Sequence, residues 1–267
     1  MELVDNLEEN TSNLKGGILL EFYFASDVGL VRKNNEDYCK CEIIDVENEE
    51  IGLFAIADGM GGYKKGEVAS KMAAENIILF LKENLLQTSK IKIEYIDDIL
   101  KQAYNNVNSL IFEKASDDET YSGMGTTLTT AILYKNYLYI ANVGDSRGYV
   151  YNKENGLKRI TRDHSYVEGL VENNEITEEE ALTHPNRSII TRAIGPDPFV
   201  IVDIFKQNIE KSDIILLATD GLTGCVIDSK IEEIIKENED FEEISDELID
   251  IANDAGNDNV SVILVRV

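Results

Sequence analysis

Four aspartates stand at the ends of strand-like apolar segments, an arrangement that suits a metal site. They are Asp58, Asp145, Asp220 and Asp258. Carboxylates in apolar surroundings are costly unless they are paired, and neighbouring carboxylates cannot all stay ionised alone. Divalent cations with oxygen-rich shells, such as Mg²⁺ and Mn²⁺, remove both penalties. A single aspartate at a strand end is ordinarily part of a turn, but four of them together favour a cation site.

Charged residues in the segment 31–37 are candidates for the same site. Arg32 is suited to two-pronged capture of a phosphate group. Glu36 and Asp37 are oxygen donors that would join or support the metal ligands. Without the aspartates described above, this segment would be interpreted as an ordinary solvated loop.

A glycine-rich run, Asp58-Gly59-Met60-Gly61-Gly62, follows the first of these aspartates. Its backbone can approach an ion or a phosphate closely because glycine has no side chain. A dinucleotide-binding loop would need glycine where Lys64 stands, and a P-loop would need lysine where Glu67 stands. Phosphatase chemistry through a cysteine is also excluded, since no cysteine has an arginine six residues downstream.

The composition excludes several classes of partner. The chain has 267 residues with 51 acidic and 25 basic side chains, for a formal net charge of −26. Such a charge repels nucleic acids and anionic membrane surfaces. Three cysteines without a CxxC pair indicate neither a disulfide framework nor a zinc site. The acidic N-terminus and the lack of a long apolar stretch predict a cytoplasmic protein without a membrane segment.

The elements that must position these residues are short strands with pairs of helices between them. Short polar turns predict antiparallel strand pairing, and apolar residues at i, i+3, i+4 spacing predict amphipathic helices. We expect a flexible acidic tail over residues 1–17, then one α+β domain over 18–267 in which two sheets carry outer helices. The predicted strands cover 18–25, 38–44, 51–57, 126–134, 137–143, 148–151, 157–160, 200–205, 214–219 and 259–267, and the predicted helices cover 67–84, 95–114, 230–237 and 241–253.

Seven short motifs occur in an order that is typical of one enzyme family. They are Arg32-Lys33-Asn34-Asn35-Glu36-Asp37, Asp58-Gly59-Met60-Gly61-Gly62, Gly125-Thr126-Thr127, Val143-Gly144-Asp145-Ser146-Arg147, Asp163-His164-Ser165, Thr219-Asp220-Gly221-Leu222 and Asp258-Asn259-Val260. Each motif is weak alone, but the ordered series, over about residues 20–267, resembles the PPM (type 2C) metal-dependent serine/threonine phosphatases of the bacterial branch. The resemblance implies an αββα sandwich of two mostly antiparallel β-sheets flanked by helix pairs.

The resemblance also assigns metal ligands to this sequence. Asp58 would bridge two Mn²⁺ or Mg²⁺ ions, with Asp220 and Asp258 completing the shell of one ion. The Gly59 carbonyl and waters would complete the other, and Asp37 is a further implied ligand. A water held between two such ions loses a proton near neutral pH and attacks phosphorus in line, so no phosphoenzyme is needed.

Other residues receive roles from the same resemblance. Glu36 would contact the ligands and not the ions, and Asp145, with Asp220, would hold a third, more weakly bound ion. Arg32 matches the arginine that binds the substrate phosphate. The residues that the resemblance implies for catalysis are Arg32, Asp58, Asp220 and Asp258. The segment 162–198 resembles the family's flap beside the cleft. Its His164 is a candidate proton donor or, alternatively, a residue that caps or packs the flap.

These expectations describe a phosphatase that acts on phosphoserine and phosphothreonine in proteins. The implied partners are phosphorylated proteins and an opposing serine/threonine kinase, and we expect a monomer. Two alternatives stay open: a catalytically inactive relative that only binds, and another two-metal phosphohydrolase such as a nuclease. An inactive relative should have lost the metal aspartates, which this chain keeps. A nuclease is disfavoured because the net charge of −26 repels nucleic acid. Many relatives carry histidine where this chain has Met60 and Tyr63, so no histidine donor is expected there.

Overall fold

The computed structural model describes residues 20–60, 65–87 and 95–267. The predicted acidic tail at 1–17, the glycines Gly61 and Gly62, and Tyr63 lie outside the described residues. Within the described ranges the chain forms two antiparallel β-sheets and seven α-helices. None of these described helices is both long and apolar enough to span a lipid bilayer.

The strands divide between the two sheets in an order that differs from their order in the chain. The first sheet contains β1 (Glu21–Asp27), β7 (Arg147–Asn152), β8 (Gly156–Arg159), β10 (Ile214–Ala218) and β11 (Val260–Arg266), in the spatial order β1-β11-β10-β7-β8. The second contains β2 (Asp37–Val46), β3 (Glu49–Met60), β4 (Gly125–Thr126), β5 (Leu128–Tyr134), β6 (Tyr137–Val143) and β9 (Asp203–Asn208). Its spatial order is β2-β3-β5-β6-β9, and β4 pairs with β3. Strands joined by short turns pair antiparallel, as predicted.

Helices cover the outer face of each sheet. The helices of the described residues are α1 (Lys65–Leu86), α2 (Ile96–Asp117), α3 (Tyr166–Glu172), α4 (Glu178–Leu182), α5 (Asp220–Thr223), α6 (Asp228–Glu237) and α7 (Phe241–Ala255). The pair α1 and α2 packs on the second sheet, and the pair α6 and α7 packs on the first. Two short helices, α3 and α4, lie in the segment 162–198, which we call the flap.

Alternating side chains of the strands separate the core into three apolar layers. Phe54 of β3 and Leu217 of β10 are buried between the two sheets. Their neighbours Leu53 and Leu216 point the opposite way and pack beneath the helices. The α+β class and the αββα sandwich are therefore as predicted.

Besides shifts of element ends, such as the strand predicted over 200–205 that runs over Asp203–Asn208, two details differ from the sequence prediction. The strand predicted over 126–134 is divided at Thr127, because the Thr127 N–H donates to the Asp58 carbonyl at 2.8 Å and leaves the regular ladder. The one-turn helix α5 follows β10 where no helix was predicted, and the Thr223 N–H donates to the Thr219 carbonyl at 3.3 Å. A single turn is too short to produce a periodic apolar pattern.

Candidate active site

The predicted metal residues meet at one edge of the sandwich. Asp37 begins β2 directly opposite Asp58 of β3 in the antiparallel register. Asp220 follows β10, Asp145 lies in the turn between β6 and β7, and Asp258 precedes β11. Each of these carboxylates acts electrostatically on at least one of the others. The two sheets thus bring five aspartates from distant parts of the chain into one acidic cluster.

Burial makes the ionised form of this acidic cluster costly. Burial raises the pKa of Asp37 to about 7, and the charges of Asp220 and Asp258 add to the effect. Burial also raises the pKa of Asp58 and of Asp145 well above the ordinary value, again with neighbouring carboxylates contributing. The pKa of Asp220 is raised by burial and then by Asp258. The cluster by itself therefore retains protons that a bound cation would displace.

Three carboxylate oxygens of the acidic cluster are buried without a hydrogen-bond partner. They are the Oδ1 atoms of Asp37, Asp145 and Asp220. Buried polar atoms are nearly always satisfied, and carboxylate oxygens are the ligands that Mg²⁺ and Mn²⁺ prefer. As the side chains stand, no three acidic, histidine or cysteine groups of the described residues surround one point as metal ligands do. The donor set fits divalent cations, and closing a coordination shell requires side-chain rotation.

Two buried threonines hold the strand end that carries Asp58. The Asp58 N–H donates to Thr127 Oγ1 at 2.9 Å. The Asp58 carbonyl accepts from Thr126 Oγ1 and from the Thr127 N–H, both at 2.8 Å. The Gly59 N–H donates to the Glu36 carbonyl at 3.0 Å. These bonds fix the backbone at Asp58 and at the Gly59 carbonyl.

A third buried threonine connects Asp37 to the end of β10. Thr219 Oγ1 donates to Asp37 Oδ2 at 2.8 Å, and the next residue is Asp220. A Cβ added at Gly221 would lie only 1.9 Å from the Asn259 carbonyl oxygen, so this close approach requires glycine. The α5 turn that carries Asp220 therefore lies directly against the residues that precede β11.

The loop between β1 and β2 is held by the side chain of Asn259. Its Oδ1 accepts from the Glu36 N–H at 2.8 Å, and its Nδ2 donates to two carbonyls of that loop at 2.9 and 3.0 Å. This attachment places Arg32 beside Asp258, and Arg32 Nη2 donates to Asp258 Oδ2 at 2.7 Å. The Arg32 side chain is 49% exposed, so its other donors face solvent.

The turn that carries Asp145 depends on Gly144. Gly144 has a φ of +113°, and a Cβ there would lie 2.5 Å from the Thr127 side chain. Arg147, two residues after Asp145, is committed to Asp163, with Nε and Nη2 donating to Asp163 Oδ2 at 2.9 and 2.8 Å. The buried carboxylate of Asp145 is therefore not neutralised by a direct hydrogen bond from Arg147.

His164 is buried against the same turn. Its backbone N–H donates to the Gly144 carbonyl at 2.9 Å, and its ring nitrogen Nδ1 accepts from the backbone N–H of Gly144 at 3.1 Å. Its Nε2 lies 3.1 Å from Asp203 Oδ2. Burial lowers the pKa of His164 below its ordinary value, so the ring is neutral at pH 7. The ring therefore packs at the base of the flap, between Gly144 and Asp203.

A cavity of about 360 Å³ opens beside the acidic cluster. Asp145, Asp220 and Asp258 form one end of the cavity. The flap helices α3 and α4 form one wall, and residues 221–229 form the other. Apolar and charged side chains both line it. Its position beside both the flap and the aspartates of the cluster makes it the candidate substrate groove.

The sequence does not reveal the roles of several supporting residues. Thr127, Thr219, Asn259 and Asp163 lie within the quoted motifs, but their spacing does not show which groups they bond. Thr219 ends a wholly apolar run, and a polar residue in that position was the clearest available signal. The partners of all four residues are distant in sequence, so only the fold identifies them.

The chain matches a known family model over most of its length. The model for protein phosphatase 2C matches residues 31–264. That span contains the acidic cluster, Arg32 and the flap.

Named proteins with similar sequences and structures agree with this match. The serine/threonine phosphatase stp of Listeria welshimeri is 39% identical over 244 residues, which cover 91% of this chain and 94% of that protein. Stp1 of Staphylococcus aureus, a serine/threonine phosphatase, has a TM-score of 0.83 at 36% identity, with coverage of 97% of this chain and 99% of that chain. The catalytic domain of the phosphatase PstP, in complex with two manganese ions, has a TM-score of 0.77 at 33% identity, with coverage of 92% and 97%.

Proposed function

The chain belongs to the protein phosphatase 2C family, and from this we infer that it removes phosphate from phosphoserine and phosphothreonine in proteins with the help of divalent cations. The observation that carries the inference is the acidic cluster, which has three unpartnered buried oxygens and borders an open cavity through Asp145, Asp220 and Asp258. Its similarity to named serine/threonine phosphatases supports the substrate class. Residues 18–267 would act as one catalytic domain.

The acidic cluster would hold two Mn²⁺ or Mg²⁺ ions tightly and a third more weakly, through Asp145. The two manganese ions of the related PstP structure support the tight pair. When bound, such ions supply Lewis acidity and a water of lowered pKa for in-line attack on phosphorus. The protein ligands proposed for the pair are Asp37, Asp58, the Gly59 carbonyl, Asp220 and Asp258.

Arg32 is the proposed phosphate-binding residue. Its guanidinium donates to Asp258 Oδ2, an oxygen of a proposed metal ligand, at 2.7 Å. A cation and Arg32 therefore compete for the same carboxylate. If Asp258 coordinated a cation, the half-exposed side chain of Arg32 would be released to form charge-assisted hydrogen bonds to a phosphate. Glu36, tied to Asn259 through its N–H, would keep this loop beside the cluster.

The cavity beside the flap would receive the polypeptide around the phosphorylated residue. It adjoins Asp145 and Asp220 and has both apolar and charged walls, as binding grooves for peptides require. The proposed partners are phosphorylated proteins and the serine/threonine kinase that phosphorylates them, and the proposed working form is a monomer. The three cysteines, all within the described residues, form no disulfide, which supports the cytoplasm as the place of action.

Hydrolysis of a phosphothreonine peptide tests the proposed function. The purified protein should release phosphate in the presence of Mn²⁺, lose this activity in EDTA, and regain it when excess Mn²⁺ is added. A bis-aryl phosphodiester under the same conditions is the control for a nuclease-like phosphohydrolase. Faster hydrolysis of the diester would contradict the proposal, and inactivity toward both substrates with Mn²⁺ and with Mg²⁺ would indicate a binding module.

A further inference from the structure

Both ends of the flap are hydrogen-bonded to the segments that carry the acidic cluster. At the C-terminal end, Ile194 and Thr126 exchange two backbone hydrogen bonds of 2.9 and 3.0 Å, and Thr126 Oγ1 donates to the Asp58 carbonyl. At the N-terminal end, His164 bonds to the residue before Asp145. The flap is thus attached to the backbone beside two proposed metal ligands.

The contact between His164 and Gly144 is two-sided. The His164 N–H donates to the Gly144 carbonyl at 2.9 Å, and Nδ1 accepts from the Gly144 N–H at 3.1 Å. The carbonyl also accepts from Asn142 Nδ2 at 3.2 Å, so it has a second donor. Nδ1 is the acceptor that the structure provides for the N–H. Removal of Nδ1 therefore leaves a buried donor unsatisfied in the turn that leads into Asp145.

Two charged residues orient the ring. Since Nδ1 is an acceptor, the neutral ring carries its proton on Nε2 and donates it to Asp203 Oδ2 at 3.1 Å. Asp203 is itself fixed, because its Oδ1 accepts from Arg192 Nη1 at 2.7 Å. Arg192 Nη1 also lies 2.9 Å from Nε2, but a guanidinium N–H and a ring N–H are both donors, so Arg192 acts on the ring through Asp203. Both ring nitrogens are engaged, and the His164 side chain is only 5% exposed.

We propose that His164 is a positioning residue that fixes the Asp145 carboxylate through Gly144, and that it is not the proton donor of the reaction. The proposal rests on the proposed function, since Asp145 is assigned there to the weakly bound third ion. Asp145 Oδ1 is buried and unpartnered, and Asp145 lines the cavity together with Asp220 and Asp258. Rotation of the Gly144 peptide would redirect that carboxylate, and the His164 contact opposes such rotation.

Two substitutions of the same ring separate positioning from proton donation. His164→Asn places an amide oxygen near the position of Nδ1, so the Gly144 N–H keeps an acceptor. His164→Gln extends toward Asp203 but leaves the Gly144 N–H without an acceptor. Neither amide can replace imidazole as a general acid. Asp203→Asn is an independent variant that keeps the ring and removes the charge that orients it.

Amide hydrogen exchange of the metal-free proteins is the readout that does not depend on catalysis. The exchange rate at Gly144 and Asp145 should match wild type in His164→Asn. It should be about tenfold faster in His164→Gln, as expected for one lost buried hydrogen bond. In Asp203→Asn the rate should rise by less than in His164→Gln. Calorimetric titration with Mn²⁺ should show the tight pair in all variants and a weakened third site in His164→Gln. Turnover of a phosphothreonine peptide should fall in His164→Gln, with KM unchanged, and recover in His164→Asn.

Unchanged exchange at Gly144 and unchanged weak Mn²⁺ binding in His164→Gln would overturn the proposal. If that variant does not fold, unchanged exchange in Asp203→Asn would do the same. Equal loss of phosphopeptide turnover in His164→Asn and His164→Gln, with activity on p-nitrophenyl phosphate retained, would identify His164 as the proton donor instead. Failure of the wild-type chain to hydrolyse phosphopeptide counts against the proposed function alone, because the exchange comparison is made without metal.

Discussion

The metal-free protein should lose stability as the pH rises from about 4 to about 7, and Asp37→Asn should remove the part of that loss that Asp37 causes. The Asp37 side chain is buried opposite Asp58, and its Oδ1 has no hydrogen-bond partner. Asparagine has nearly the same shape and can still accept the hydrogen bond from Thr219 Oγ1. The substitution therefore changes the charge with little change in packing.

The size of the effect follows from the pKa of Asp37. Burial, with Asp220 and Asp258, raises this pKa from 3.8 to about 7. Between these pH values the unfolded chain has lost the proton while the native protein keeps it, so the free energy of unfolding falls as the pH rises. The stabilising contribution is complete below about pH 3.8 and is lost above about pH 7. About three pKa units at about 1.4 kcal/mol each correspond to about 4 kcal/mol.

Urea unfolding of EDTA-treated protein between pH 4 and pH 7.5 measures this contribution. Wild type and Asp37→Asn should be equally stable near pH 4, and the variant should be more stable by about 4 kcal/mol near pH 7, roughly 10 °C in melting temperature. Asp98→Asn, at an exposed position of α2, is the charge-matched control. Mn²⁺ at about 100 times its Kd should stabilise wild type by about 2.7 kcal/mol and the variant by less.

Parallel stability profiles for wild type and Asp37→Asn over this pH range would refute the reasoning, because they would mean that Asp37 ionises in the fold as freely as in the unfolded chain. Equal stabilisation of both proteins by Mn²⁺ would remove Asp37 from the proposed ligands. The control variant Asp98→Asn should follow the wild-type profile throughout.

Three further substitutions test the proposed roles of individual residues. Asp58→Asn should retain less than about a tenth of the Mn²⁺-dependent turnover, a barrier increase of at least about 1.4 kcal/mol, with an unchanged circular dichroism spectrum; a folded variant with more activity contradicts the bridging role. Arg32→Ala should raise KM for a phosphopeptide with little change in Mn²⁺ affinity, and unchanged KM and kcat would leave Arg32 as an ordinary loop residue. Asp145→Ala should keep the tight pair in calorimetry and slow phosphopeptide turnover more than that of p-nitrophenyl phosphate, whose leaving group needs no protonation. Equal rate losses on the two substrates, or loss of the tight pair, would argue against a third ion at Asp145.

Local pattern alone was sufficient for the layers of the fold and for the residue types at its edge. Continuous apolar runs such as 51–57 and 214–219 become the central strands β3 and β10, because strands covered on both faces need apolar residues on both. The apolar residues of segment 95–114 recur at helical spacing, and they form the buried face of α2, because a helix that packs on a sheet needs apolar residues on one side. Asp58 and Asp220 were identifiable because a carboxylate that ends a buried strand needs a partner.

Only the tertiary structure decided which of these residues meet and what holds them. The ion pair of Arg32 with Asp258 joins positions 226 residues apart, and the hydrogen bond from the Glu36 N–H to Asn259 joins positions 223 apart. Such contacts leave no periodic trace in the sequence, because they depend on how the two sheets stack and not on local conformation. The same holds for His164, whose sequence neighbours do not reveal that its ring lies between Gly144 and Asp203.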